Sequence, residues 1–218
     1  MANPISRRYS NSEEVANSIT HGIGALLAIA ALGVLTAYST LKGNAVHIVS
    51  CSIFGATLIF QYLSSTLYHS ISQIRAKSIL RMFDHIAIVL LIAGTYTPFA
   101  LICLQGTWGW SIFGTIWGLA LMGIIFEVTP LKKHRFALVS LYISMGWVII
   151  IAIRPLFQSL DFRGFVLLVL GGLVYTLGVT FYVWKKLPYS HAIWHLFVLG
   201  GSTLHFFAIL FYVIPSQA

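Results

Sequence analysis

The chain has 218 residues, of which 58% are hydrophobic and only 8% charged, with a mean hydropathy of +0.89. A soluble domain carries about a quarter charged residues, so a deficit this large, spread along the chain, excludes a soluble enzyme or binding domain and indicates a polytopic membrane protein. The net charge of +8 is not a nucleic-acid footprint, because Lys and Arg in such chains act chiefly as topology signals.

The first 17 residues, MANPISRRYSNSEEVAN, are polar and lack an apolar core with a small-residue cleavage site, so they read as a short N-terminal segment and not as a signal peptide. Glu14, Asn17, Thr20 and His21 follow on or near one helical face, where N-terminal capping is the plain account, while His21 at the start of span 1 is also a candidate polar contributor to a site at that end. A membrane span needs about 20 mostly apolar residues to cross roughly 30 Å of hydrocarbon. Runs of that kind cover residues 20–41, 46–68, 84–104, 109–128, 136–154, 164–184 and 191–213. Short connections such as LKGNA, LQGTWG, TPLKKHR and KKLPYS separate them. The expected architecture is one all-α integral membrane domain over residues 1–218, a seven-transmembrane helix bundle. Small residues in GTIWG (114–118) and LGGLVYTLG (170–178) predict close helix packing. Cys51 and Cys103 are too few for a disulfide framework or a Cys-based zinc site, and read as two unpaired thiols.

Basic residues set the expected orientation. Arg7, Arg8, Arg75, Lys77, Arg81, Lys132, Lys133, Arg135, Lys185 and Lys186 all fall on one side of a seven-span chain, while Lys42, Arg154 and Arg163 fall on the other. By the positive-inside rule the N-terminus is cytoplasmic and the C-terminus outside.

With that topology, polar residues of three spans reach one depth. Span 2 ends with Ser65 and His69, span 3 starts with Asp84 and His85, and span 7 starts with His191 and His195 in the string HAIWH. Ionisable groups within spans are functional candidates, because each is costly in lipid. Residues at i and i+4 share a helix face, so His191 and His195 form the two-histidine pair used by helical zinc sites. His69 is the natural third ligand, leaving one tetrahedral position open as in catalytic zinc. Asp84 is then placed to take a proton from a zinc-activated water, and Ser65 to orient that water or Asp84. Taken alone, HxxxH is a weak signal, and an apolar-face pair also serves as interior hydrogen-bonders. His205, about 15 Å further along the helix at 1.5 Å per residue, is expected to make an interior hydrogen bond. His85 points about 100° away from Asp84, and His47 and His134 are expected to be solvated.

E14-V-A-N17-S-I-T20-H21, S65-T-L-Y-H69, D84 and H191-A-I-W-H195 together resemble the motif set of the progestin and adiponectin receptor superfamily over nearly the whole chain. FDHIAIVLLIAGTYTPF and PYSHAIWHLFVLGGS look like its bacterial branch, the hemolysin III family. The resemblance implies a seven-helix bundle with Zn2+ near the cytoplasmic face, ligated by His69, His191 and His195, with Asp84 and Ser65 around the water. Glu14, Asn17, Thr20 and His21 fall on a motif that would lie behind these ligands. It also implies a membrane-embedded hydrolase of lipid amides or esters, similar to alkaline ceramidases, acting on membrane lipids in the inner or plasma membrane. The chain lacks the long N-terminal extension of the receptors, so partner binding through one has no support. Two alternatives remain open: a non-enzymatic, zinc-stabilised membrane sensor, and a pore-forming haemolysin, for which the helices of a monomer offer no obvious polar lining. No nucleic-acid partner is expected.

Overall fold

A computed structural model describes residues 9–184 and 186–215. Arg7, Arg8 and Lys185, which contribute to the charge asymmetry above, lie outside the described residues. Seven helices long and apolar enough to cross a membrane account for nearly all of the described chain: α1 Asn11–Lys42, α2 Ala45–Ser70, α3 Ile74–Leu104, α4 Gly106–Val128, α5 Arg135–Ser159, α6 Phe162–Val183 and α7 Ser190–Val213. No strand occurs among the described residues.

Local chemistry explains where the helices start and bend. Ser10 and Glu13 form a capping box at α1, Asn44 caps α2 and Asp161 caps α6. Pro98 cannot continue the hydrogen-bond ladder of α3, and the helix widens into a π-helical last turn at Phe99–Leu104. Pro155 also lacks an N–H for the ladder of α5, and there the preceding stretch Val148–Ala152 tightens into 3-10 geometry. The α3–α4 turn passes through the left-handed region at Gln105 and Gly106, with φ of 49° and 46°.

Five of the spans start and end within five residues of the runs read from hydropathy. The other two start earlier: α1 at Asn11 instead of 20, and α3 at Ile74 instead of 84. Both extensions are polar or amphipathic turns that continue a helix past the hydrocarbon length, which a search for apolar runs does not detect. In α1 these extra turns carry Glu14 and Asn17 onto buried histidines of α2 and α7.

α3 is the central helix, with 78% of its most apolar window buried against no more than 44% in any other span. α1 packs on α2 and α7, α2 and α4 pack on α3, and α6 packs on α7, closing the bundle. The exposed faces carry Leu26, Leu121, Ile151, Leu177 and Phe211, as expected of surfaces that meet lipid. Glycine supports close packing in α6, where Gly171 and Gly178 are buried against α7. GTIWG does not behave this way: Gly114 and Gly118 are exposed and nothing approaches them. His47 also departs from expectation. It is buried, closing a capping box with Asn44 while its ring lies over Gly43. His134 is exposed, and both cysteines are buried and form no disulfide.

Candidate metal centre

The end of α2, the start of α3, the start of α7 and the first turns of α1 meet at one end of the bundle. His69, His191 and His195 are buried there, and each offers a ring nitrogen within 4.8 Å of the others. One of these histidines comes from α2 and two from successive turns of α7, so closing the triangle requires the two helices to pack in register.

Groups behind the triad fix which nitrogens face inward. His69 Nδ1 donates to Glu14 Oε2 at 2.6 Å, and its Nε2 is buried with no hydrogen-bond partner. Glu14 is held in turn by Lys77, whose Nζ lies 2.9 Å from Oε1 and also donates to the Tyr68 carbonyl at 2.9 Å. His195 Nδ1 is 3.1 Å from the Asn17 carbonyl and 3.0 Å from Thr20 Oγ1. A backbone carbonyl only accepts, so His195 carries its proton on Nδ1 and keeps a lone pair on Nε2. The Asn17 amide reaches His69 Nδ1 at 3.4 Å, and the His21 ring stacks on His195 with centroids 3.5 Å apart. A carboxylate or carbonyl behind each imidazole, orienting it and raising its basicity, is the usual support of a histidine metal ligand. The donor set therefore fits a divalent metal such as zinc: three imidazoles converge, two with Nδ1 engaged from α1 and Nε2 left over.

Asp84 and Ser65 border the triad. Asp84 is 7% exposed and lines a cavity of about 20 Å³ together with His21, His191 and His195. Ser65 is fully buried beside the Asp84 carboxyl, although its Oγ meets no partner at full hydrogen-bond geometry. Thus His69, His191, His195, Asp84 and Ser65 come together, and Glu14, Asn17, Thr20 and His21 of α1 pack against them. N-terminal capping is not the role of Glu14, Asn17 or Thr20, because Ser10 and Glu13 supply the cap.

Several residues at this end carry no signal in the HxxxH pattern. Glu13 Oε1 accepts from the Tyr189 backbone N–H at 3.0 Å, tying the start of α1 to the residue preceding α7. Tyr189 sits at a φ of 56°, a left-handed conformation uncommon outside glycine. Tyr9 stacks on the His191 ring with centroids 5.0 Å apart. His85 is paired with Glu127 at 3.0 Å and, despite pointing away from Asp84 on α3, still borders the small cavity. Glu127, an ionisable residue inside a span, was a readable candidate. So was Gln61, which precedes Ser65 and His69 at successive four-residue steps.

A second, larger cavity of about 150 Å³ lies between α3, α5, α6 and α7, with almost wholly apolar walls. Gln61, Ile88, Tyr182 and Trp194 belong to the walls of both cavities, so the two adjoin.

A family model described as "Haemolysin-III related" matches residues 9–206. The chain is 50% identical to "Hemolysin-3" of Bacillus cereus over 206 residues, covering 94% of each chain. It is 52% identical to "Hemolysin-3 homolog" of Bacillus subtilis (strain 168), covering 94% of this chain and 97% of that one. A more distant relative is "Monocyte to macrophage differentiation factor" of Homo sapiens, 29% identical over 98% of this chain and 90% of the relative. With seven membrane-crossing helices and a clustered histidine triad, this multi-pass membrane protein belongs to the haemolysin III family, the bacterial branch of the progestin and adiponectin receptor superfamily.

Proposed function

We propose that the protein is a zinc-dependent hydrolase of lipid amides or esters, acting on a membrane lipid near the cytoplasmic leaflet. The observation that carries this reading is the junction of the two cavities. A polar pocket lined by histidines and a carboxylate shares four wall residues with an apolar chamber, so a carbonyl in one leaves room for a hydrocarbon chain in the other. Ligand sites commonly combine a mostly apolar concave wall with a few convergent polar groups. The basic residues of the α2–α3 and α4–α5 connections lie at the histidine end, and by the positive-inside rule this supports a cytoplasmic orientation for it.

Zinc on His69, His191 and His195 would supply Lewis acidity toward a carbonyl and lower the pKa of water toward about 7. The chain's own groups do the rest. Glu14, Asn17 and Thr20 hold the His69 and His195 rings in one tautomer and orientation. Asp84 Oδ accepts a proton from the attacking water and returns it to the leaving amine or alcohol, with Ser65 steadying the carboxyl. Ile88, Tyr182 and Trp194 at the junction keep bulk water from the reacting carbonyl. The test is incubation of purified, metal-loaded protein with ceramides and acyl lipids, followed by mass spectrometry of released acids. Cleavage of one class is expected, and stoichiometric zinc without cleavage of any would overturn the reading.

A second reading, a zinc-stabilised sensor, is favoured by one observation: α1 and the triad tie α2 to α7, so a metal there would also staple the bundle. The Asp84 variant described below separates the two.

A further inference from the structure

The large cavity is not uniformly apolar. About halfway through the bundle it carries two buried acceptors that no protein donor meets. Gln61 is 4% exposed and its Oε1 has no partner, and His205 is 5% exposed with no partner for Nδ1. Both residues line the cavity. His205 Nε2 lies 3.1 Å from the Leu168 carbonyl, which can only accept. Nε2 therefore holds the proton, and Nδ1 is left as a bare lone pair.

The two acceptors lie in one layer. Gln61 precedes His69 by eight residues on α2, and His205 follows His195 by ten on α7, which at about 1.5 Å per residue sets them roughly 12 and 15 Å from the triad. The two helices run antiparallel, as the Tyr62–Ser202 hydrogen bond at 2.8 Å shows beside the His69–His195 contact, so both displacements point the same way. Other polar groups of this layer are satisfied. Tyr62 and Tyr175 each bond the Ser202 hydroxyl, and Thr95 and Thr176 donate to their own helices.

A buried acceptor without a donor is costly, and natural interiors leave few of them. An ordered water needs about two to four polar partners, whereas these two atoms are set among apolar side chains and the paired hydroxyls. An amphipathic ligand that brings its own donor fits them better. Resting on the reading that a lipid chain occupies this cavity, we infer that Gln61 and His205 form a second recognition pole for a hydroxyl group carried part-way along that chain. The protein would then prefer hydroxylated lipids over those with a plain hydrocarbon chain.

Oleic acid and ricinoleic acid, which differ by one mid-chain hydroxyl, are the probes. Their dissociation constants are read on the detergent-solubilised full chain from the fluorescence of Trp147 and Trp194, which line the cavity. Ricinoleic acid should bind roughly fivefold more tightly, the range expected of one net hydrogen bond. His205→Phe and Gln61→Leu should each shrink that ratio toward one while leaving oleic acid bound at least as well. Two variants on different helices keep the test usable if one does not fold. Equal affinities in the wild type would overturn the inference and assign the acceptors to water. A preference that survives both substitutions would overturn it too. Failure of both acids to bind would instead remove the lipid-cavity reading itself, and this inference with it.

Discussion

At the start of α7, His191 and His195 meet groups from α1 and α2, whereas His205, ten residues further along the same helix, meets one carbonyl of α6 and a cavity wall. All three histidines are buried, and each needs its ring satisfied. The first pair is satisfied collectively: the proton on His195 Nδ1 points to α1, and nitrogens converge with one from His69 on a shared centre. His205 is satisfied singly on one side and faces a chamber on the other. A histidine in a span therefore has two distinct uses. Convergence with a carbonyl or carboxylate behind the rings suits a metal, and isolation beside a cavity suits the ligand group proposed above.

Breaking the first region should cost most. Asp84→Ala is expected to lower lipid hydrolysis by roughly a hundred- to ten-thousand-fold, the usual span for loss of a general base, while zinc content stays at the wild-type level. Intact function in that variant would favour the sensor reading. Glu14→Gln removes the carboxylate behind His69 and should weaken zinc affinity about 10- to 100-fold, measured by competition with a chelator. An unchanged affinity would mean that α1 serves packing alone.

The second region should respond more mildly and independently. A Cβ at Gly171 would collide with the His205 ring. Gly171→Ala should therefore displace that ring and cost about 1–3 kcal/mol in stability, as overpacking does, read as a lower Tm at unchanged zinc content. Loss of zinc in this variant would show that the two regions are coupled.

How much of this was legible without coordinates depended on how local the signal was. Hydropathy is a property of a single run, so seven spans and most of their ends could be read from it. The first turns of α1 fall outside the apolar run, because NSEEVAN is too polar to count toward a span, and what they pack against is 50 residues or more away. Glu14 meets His69 across 55 positions and Asn17 meets His195 across 178, and no spacing rule links such pairs. HxxxH was visible because its two members share one helix, whereas the tautomer of His195 depends on Asn17 of α1. His47 was misjudged for a similar reason: it lies near a chain turn, yet its ring folds over Gly43 and is shut off from solvent. Gly114 and Gly118 show the reverse, small residues at packing intervals with no helix against them. Gln61 could have been found from its four-residue steps to Ser65 and His69, but what singles it out is an unpaired oxygen in a cavity wall.

The central claim is that His69, His191 and His195 hold a metal. It is tested most directly by elemental analysis of protein purified without chelator, wild type beside His191→Ala. The account predicts about one zinc per wild-type chain and almost none in the variant. Wild-type protein free of metal, or equal zinc in both, would contradict it.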